Sequence, residues 1–295
     1  MPQAVIISQL TLIGVGLIGA SLARVLKKTG YCRRVVGCGR SRGNLETALA
    51  LGIIDDISDD PARAVEGADV VVLAVPLGAM ATVLRRIAPH LDAATVVTDV
   101  GSAKGCVAVE ARRILGTHIA NFVPGHPIAG TEQSGAAAST DTLFQERCVI
   151  LTPLEETAPA AVEQVRRLWC AAGARVSEMD VTHHDQILAA TSHLPHLLAY
   201  ALVDTLAGMD DSKEVLRYAA GGFFDFTRIA SSDPVMWRDI CLANREAILG
   251  MLGKFSGDID QLAKLVDAAD GERLQALFTR AKTVRDKLIR GVDAT

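Results

Sequence analysis

The chain has 295 residues, 49% apolar and 22% charged, which is enough for two modest domains and ordinary for a soluble globular enzyme. Its formal charge of -4 gives no clustered Lys and Arg for a phosphate backbone, which argues against a nucleic acid partner. The six cysteines lie scattered without a CxxC pair, so neither a metal site nor a disulfide framework is expected, and reduced thiols in a cytoplasmic protein are the simplest reading.

Residues 1–23 carry no charged side chain, yet they do not read as a signal peptide, because the first basic residue, Arg24, follows the apolar stretch instead of preceding it. No other apolar run approaches the length of about 20 residues that crosses a bilayer, so no membrane partner is expected. The N-terminal half alternates short β-branched runs with helical patterns. Strands are predicted over 10–13, 35–38, 70–75, 95–100, 121–123 and 148–152, and helices over 17–28, 42–51, 77–88, 103–115 and 158–172. The unbroken Val70-Val71-Val72-Leu73 run fits a strand covered on both faces, as in a parallel sheet.

After a last possible strand at 175–179 only helical patterns follow. A long helix is expected from about 185 to 207, kinked or broken at Pro195, and another begins at Asp233-Pro234, where Asp233 can cap and Pro234 suits the first turn. The fold expected is an α/β, Rossmann-type doubly wound sheet over residues 1–181, followed by an all-helical substrate and dimerisation domain over 182–295, with no third domain. So much apolar surface on few helices predicts a homodimer.

Gly14-Val15-Gly16-Leu17-Ile18-Gly19 is a GxGxxG turn between a predicted strand and a predicted helix, the context in which this motif holds a dinucleotide. Gly14 permits the tight turn, Gly16 admits the pyrophosphate and Gly19 lets helix and strand pack closely. At the end of the second strand, where an acid would bind the ribose of NAD, the chain reads Gly39-Arg40-Ser41-Arg42. Arg40 and Ser41 suit a 2'-phosphate, so NADP is favoured over NAD; a solvated loop is the plain alternative.

Functional residues in such a sheet come from the C-terminal ends of strands. Three loops qualify: Ala74-Val75-Pro76, Asp99-Val100-Gly101-Ser102-Ala103-Lys104, and Pro124-Gly125-His126-Pro127. Val75 and Pro76 are placed against the cofactor. His126, with Gly and Pro around it, is a candidate general base.

GHPIAGTEQSG after DVGSAK resembles the prephenate and arogenate dehydrogenases, and the segments Thr191 to His196 and Gly222 to Ala230 resemble that family's helical-domain motifs in the family's order. The resemblance implies oxidative decarboxylation of prephenate or arogenate on the route to tyrosine. It implies that His126 accepts the ring C4 hydroxyl proton, that Ser102 hydrogen-bonds near that hydroxyl and the cofactor's nicotinamide and orients His126, and that Arg228 binds a substrate carboxylate. His196 would position substrate, Glu132 and Asp225 would gate the pocket, and Trp237 would close its wall. Trp237 suits a core or a dimer interface equally well, and Glu132 and Asp225 could be surface acids. The alternatives are another two-domain Rossmann dehydrogenase, acting on a β-hydroxyacid or an imine, and a non-catalytic NADP sensor.

Overall fold

The computed structural model describes residues 7–131 and 133–292. The first part alternates as expected: β1 (Ile7–Ile13), α1 (Leu17–Lys28), β2 (Cys32–Cys38), α2 (Arg42–Ala50), β3 (Asp56–Ser58), α3 (Pro61–Ala64), β4 (Val70–Leu73), α4 (Leu77–Ile87), β5 (Val96–Asp99) and α5 (Gly105–Ile114). Then come β6 (Phe122–Val123), β7 (Gly125–Pro127), β8 (Cys148–Leu151), α6 (Pro159–Ala171) and β9 (Arg175–Glu178). The remainder is helical: α7 (Val181–Leu188), α8 (Leu194–Ala207), α9 (Ser212–Arg217), α10 (Gly221–Thr227), α11 (Pro234–Ala243), α12 (Arg245–Asp267) and α13 (Gly271–Val292).

Six strands pair in parallel in the order β3-β2-β1-β4-β5-β6. The order reverses between β1 and β4, which is where ligands enter an open α/β sheet. The two-residue period of a strand sends Val70 and Val72 into one apolar core and Val71 and Leu73 into the other, which accounts for a run without polar residues.

The strands at 148–151 and 175–178 do not extend this sheet. They form a second, three-stranded sheet with β7, in which β7 and β8 are antiparallel and β8 and β9 parallel. Pro124, between β6 and β7, has no N–H to donate to a ladder, and the chain changes sheet there.

Asp233 caps α11 by accepting from Met236 N at 2.8 Å, with Pro234 in the first turn as predicted. The helix expected over 185–207 with a kink or break at Pro195 is interrupted just before that residue, where a π turn over Ala189–His193 joins α7 to α8. Such turns reorient side chains within a helix. The chain divides into two compact units after Arg245. Helices α7 to α11 belong to the unit that contains both sheets. The second unit consists of α13 and nearly all of α12, and it leaves Ile259, Val266, Phe278, Val284 and Leu288 exposed. No described helix is long and apolar enough to cross a membrane.

Candidate active site

The turn between β1 and α1 is built as its glycines require. Gly14 has φ +100, and a Cβ there would meet the Ala74 carbonyl oxygen at 2.1 Å. A Cβ on Gly19 would meet the Gly14 carbonyl oxygen at 2.5 Å, whereas one on Gly16 would meet nothing within 4 Å. Two glycines are thus needed for packing, and the third leaves open space at the N-terminus of α1, where free N–H groups attract a pyrophosphate. The protein fits a dinucleotide at this place. Val15 and Leu17 are buried and Ile18 is half-buried, so this stretch offers a ligand its backbone and not those side chains.

Gly39, Arg40 and Ser41 are exposed at the end of β2. Ser41 caps α2, its Oγ accepting from Asn44 N at 3.3 Å, while Arg42 pairs with Glu46 and Asp59. Arg40 has no carboxylate partner among the described residues. Asn44 bridges two loops: its Nδ2 donates to the Val15 carbonyl at 2.7 Å and its Oδ1 accepts from Ala136 N at 2.9 Å. Val75 is half-buried against the second core, and Pro76, exposed, stands just ahead of α4.

His126 lies on β7 with 8% of its surface exposed. Its Nδ1 is 2.9 Å from Nε2 of His184, whose Nδ1 is 2.8 Å from Asp185 Oδ1. Asp185 accepts the Lys104 and Gly105 N–H groups, both at 2.8 Å, at the start of α5. Lys104 Nζ donates to Asp99 Oδ2 and, at 2.7 Å, to the Gly125 carbonyl. Asp99 also accepts from Gly101 N at 2.8 Å and Gly125 N at 3.2 Å, so one buried ion pair braces the residue preceding His126. Burial, and then the positive charge of Lys104, hold the His126 imidazole well below the usual histidine range, so it is neutral at physiological pH. Burial alone would raise the Asp185 carboxyl, but the hydrogen bonds from His184 and from the Lys104 and Gly105 backbone bring it below its ordinary value.

The helices supply a second wall. Trp237 is buried and stacks on His196, with ring centroids 3.8 Å apart and planes at 23°. His193 meets the edge of the same indole at 6.0 Å. Asn244 Nδ2 donates to the Asp185 carbonyl at 2.8 Å and lies 3.1 Å from His193 Nδ1. His193 is fully buried, and burial pushes its imidazole down to about 4. The Ser102 carbonyl lies close enough to favour protonation of this ring but not in hydrogen-bonding geometry, so His193 Nε2 has no partner among the described residues; the same holds for Trp237 Nε1. Burial also lowers the half-buried His196, and the positive charge of Arg228 adds to the effect.

The structure therefore groups Ser102, His126, His193, His196, Trp237 and Arg228. His193 acts electrostatically on His126, His193 and His196 share Trp237, and Arg228 acts on His196. Among the described residues Ser102 makes no hydrogen bond to His126, whose ring is held by His184 instead. Asp225 is exposed on α10, and Glu132 lies outside the described residues. Sequence reasoning missed Asp99, Lys104, His184, Asp185 and Asn244. Only DVGSAK, which contains the first two, carried any signal.

Residues 22–178 match the family model described as prephenate dehydrogenase, nucleotide-binding domain, and residues 180–280 match the one described as prephenate dehydrogenase, dimerization domain. The chain belongs to the prephenate dehydrogenase family. Its curated relatives include the cyclohexadienyl dehydrogenase of Zymomonas mobilis, 38% identical over 95% of this chain and 96% of that protein. The prephenate dehydrogenase of Bacillus subtilis is also 38% identical, over 94% of this chain and 75% of that protein. Among solved structures, Aquifex aeolicus prephenate dehydrogenase in complex with hydroxyphenyl propionate and NAD+ superposes with a TM-score of 0.90 at 35% identity, covering 95% of this chain and 98% of that one. The family's reaction is the oxidative decarboxylation of prephenate in tyrosine biosynthesis, and this chain is a dehydrogenase for it that uses a nicotinamide cofactor. The doubly wound nucleotide-binding sheet and the helical C-terminal region agree with the fold expected from sequence.

Proposed function

We propose that His126 is the general base of this reaction, in a site that prefers NADP. A nicotinamide dinucleotide bound along the glycine turn supplies the hydride acceptor. His126, neutral and buried at the strand end, takes the proton of the ring C4 hydroxyl as the C4 hydride departs. Loss of the ring carboxylate as carbon dioxide returns its bonding electrons to the ring, and the C4 oxygen of the aromatic product recovers the proton. Arg228 binds a substrate carboxylate through paired hydrogen bonds. Ser102 meets the C4 hydroxyl, His196 positions the ring against Trp237, and Asp225 and Glu132 close the pocket mouth.

The single observation that carries this reading is the neutral His126 on β7, beside the Ser102 loop and the His193, His196 and Trp237 cluster. Arg40 and Ser41, with Gly39 in the position of an acid, support NADP. The likeness to a cyclohexadienyl dehydrogenase supports arogenate as a second substrate. Exposed Phe224, Phe226, Leu242, Phe278 and Leu288, together with the dimerization model, support a homodimer, which we place in the cytoplasm; the boundary between the two family models supports a functional division at residues 181 and 182.

The test is cofactor reduction with prephenate and with arogenate, each offered NAD and NADP, for the wild type and His126→Asn. Turnover that falls about 10²- to 10⁴-fold in the variant with unchanged cofactor affinity is the expected result. An unaltered rate removes His126 as base, and equal use of both cofactors removes the NADP preference.

A further inference from the structure

The contacts around His126 constrain which of its ring nitrogens carries the proton. Asp185 is the fixed end of the chain, because both of its oxygens accept backbone N–H groups at the start of α5. A carboxylate can only accept, so the 2.8 Å contact to His184 places a proton on His184 Nδ1. A His184 ring that carries this one proton presents a lone pair at Nε2. That atom lies 2.9 Å from His126 Nδ1, which donates to such a ring. His126 Nε2 is left as the unprotonated nitrogen, and no described residue hydrogen-bonds to it. His184 is fully buried and Asp185 is 8% exposed, so water has little access to these bonds.

The geometry points to His184 and Asp185 as positioning residues that hold His126 in the Nδ1–H form, with its basic lone pair at Nε2. When Nε2 takes the substrate proton, His126 becomes an imidazolium, and its charge is shared through His184 with the Asp185 carboxylate. Catalytic histidines elsewhere are oriented by a carboxylate directly; here a second imidazole is interposed. The carboxylate thus stays at the N-terminus of α5, where it also satisfies two free N–H groups.

This inference rests on the reading of His126 as base, and its test separates the two. Nuclear magnetic resonance of the full-length protein with ¹⁵N-labelled histidine reports the tautomer directly, independent of turnover. Near neutral pH His126 should be protonated at Nδ1 and bare at Nε2; a protonated Nε2 overturns the proposal. Kinetically, His184→Phe should lower kcat about 10²- to 10⁴-fold, the range seen when a catalytic histidine loses its tautomer control, with KM and cofactor affinity little changed. His184→Gln can accept from His126 and donate to Asp185, and should restore kcat to within about tenfold of wild type. Equal losses in the two variants, or a rise in KM alone, would assign His184 a merely structural role. Should His184→Phe fail to fold, the wild-type tautomer and His184→Gln still decide. Undiminished turnover in His126→Asn would overturn the base assignment itself, whichever tautomer the resonances report.

Discussion

The Lys104 ammonium and the Asp99 carboxylate form an ion pair in which neither side chain is exposed. The pair is tied to the residue before His126, since the same ammonium also holds the Gly125 carbonyl. Removal of one partner leaves a buried charge without its counterion, which costs about 3–5 kcal/mol. Lys104→Met is therefore expected to lower stability by that amount in a urea titration, and to lower turnover in whatever fraction remains folded. A loss below about 1 kcal/mol would show that water or a rearranged neighbour replaces the ammonium.

Acid should destabilise the fold through its buried histidines. His193 is held at about 4, below its ordinary value near 6.5, so the unfolded chain binds more protons than the native one between those limits. The stabilisation is complete above pH 6.5 and declines as pH falls towards 4, at about 1.4 kcal/mol per pH unit for this residue. His126 shifts in the same direction and adds to the slope. Urea midpoints measured from pH 7.5 down to 4.5 would check this, and His193→Gln should flatten the curve. An unchanged slope in that variant would place the acid sensitivity elsewhere.

Arg228→Ala should weaken substrate more than it slows chemistry. A charge-assisted pair of hydrogen bonds is worth about 1.5–3 kcal/mol, so KM for prephenate should rise about 10- to 150-fold with kcat within a few-fold. Steady-state kinetics with saturating cofactor provides the measurement. An unchanged KM would mean that the substrate carboxylate is bound by another residue.

Arg40→Asp should move the cofactor preference from NADP towards NAD. An acid at this place repels a 2'-phosphate and accepts from ribose hydroxyls, and a shift of about 1.4 kcal/mol already changes the ratio of kcat/KM values tenfold. A ratio that does not move would assign the ribose to a different side chain.

The sequence makes some of this architecture legible and hides the rest for identifiable reasons. Val70 to Leu73 announces a strand buried on both faces, and the GxGxxG spacing announces a turn whose packing needs are then met at Gly14 and Gly19. β3 and β7 are three residues each, and β7 contains Gly125 and Pro127, so neither has enough β-branched character to show a period. Strand-forming runs report extended backbone but not partners, which is why β8 and β9 read as members of the main sheet. The partnership of His184 with His126 spans 58 residues and has no local spacing to betray it. Asp185 is concealed further, since it looks like an ordinary polar position on a helix while its oxygens serve another helix altogether.

Asn44 uses its donor on the Val15 carbonyl and its acceptor on the Ala136 N–H, so two distant stretches of backbone hang from one amide group. One belongs to the glycine turn, and the other lies downstream of the His126 strand. Neither stretch can drift by more than the tolerance of a hydrogen bond without detaching from its neighbour. Their slack is common property, and a residue at this position with only one polar atom would loosen the floor of the nucleotide cradle or the segment beyond the base, but not leave both taut.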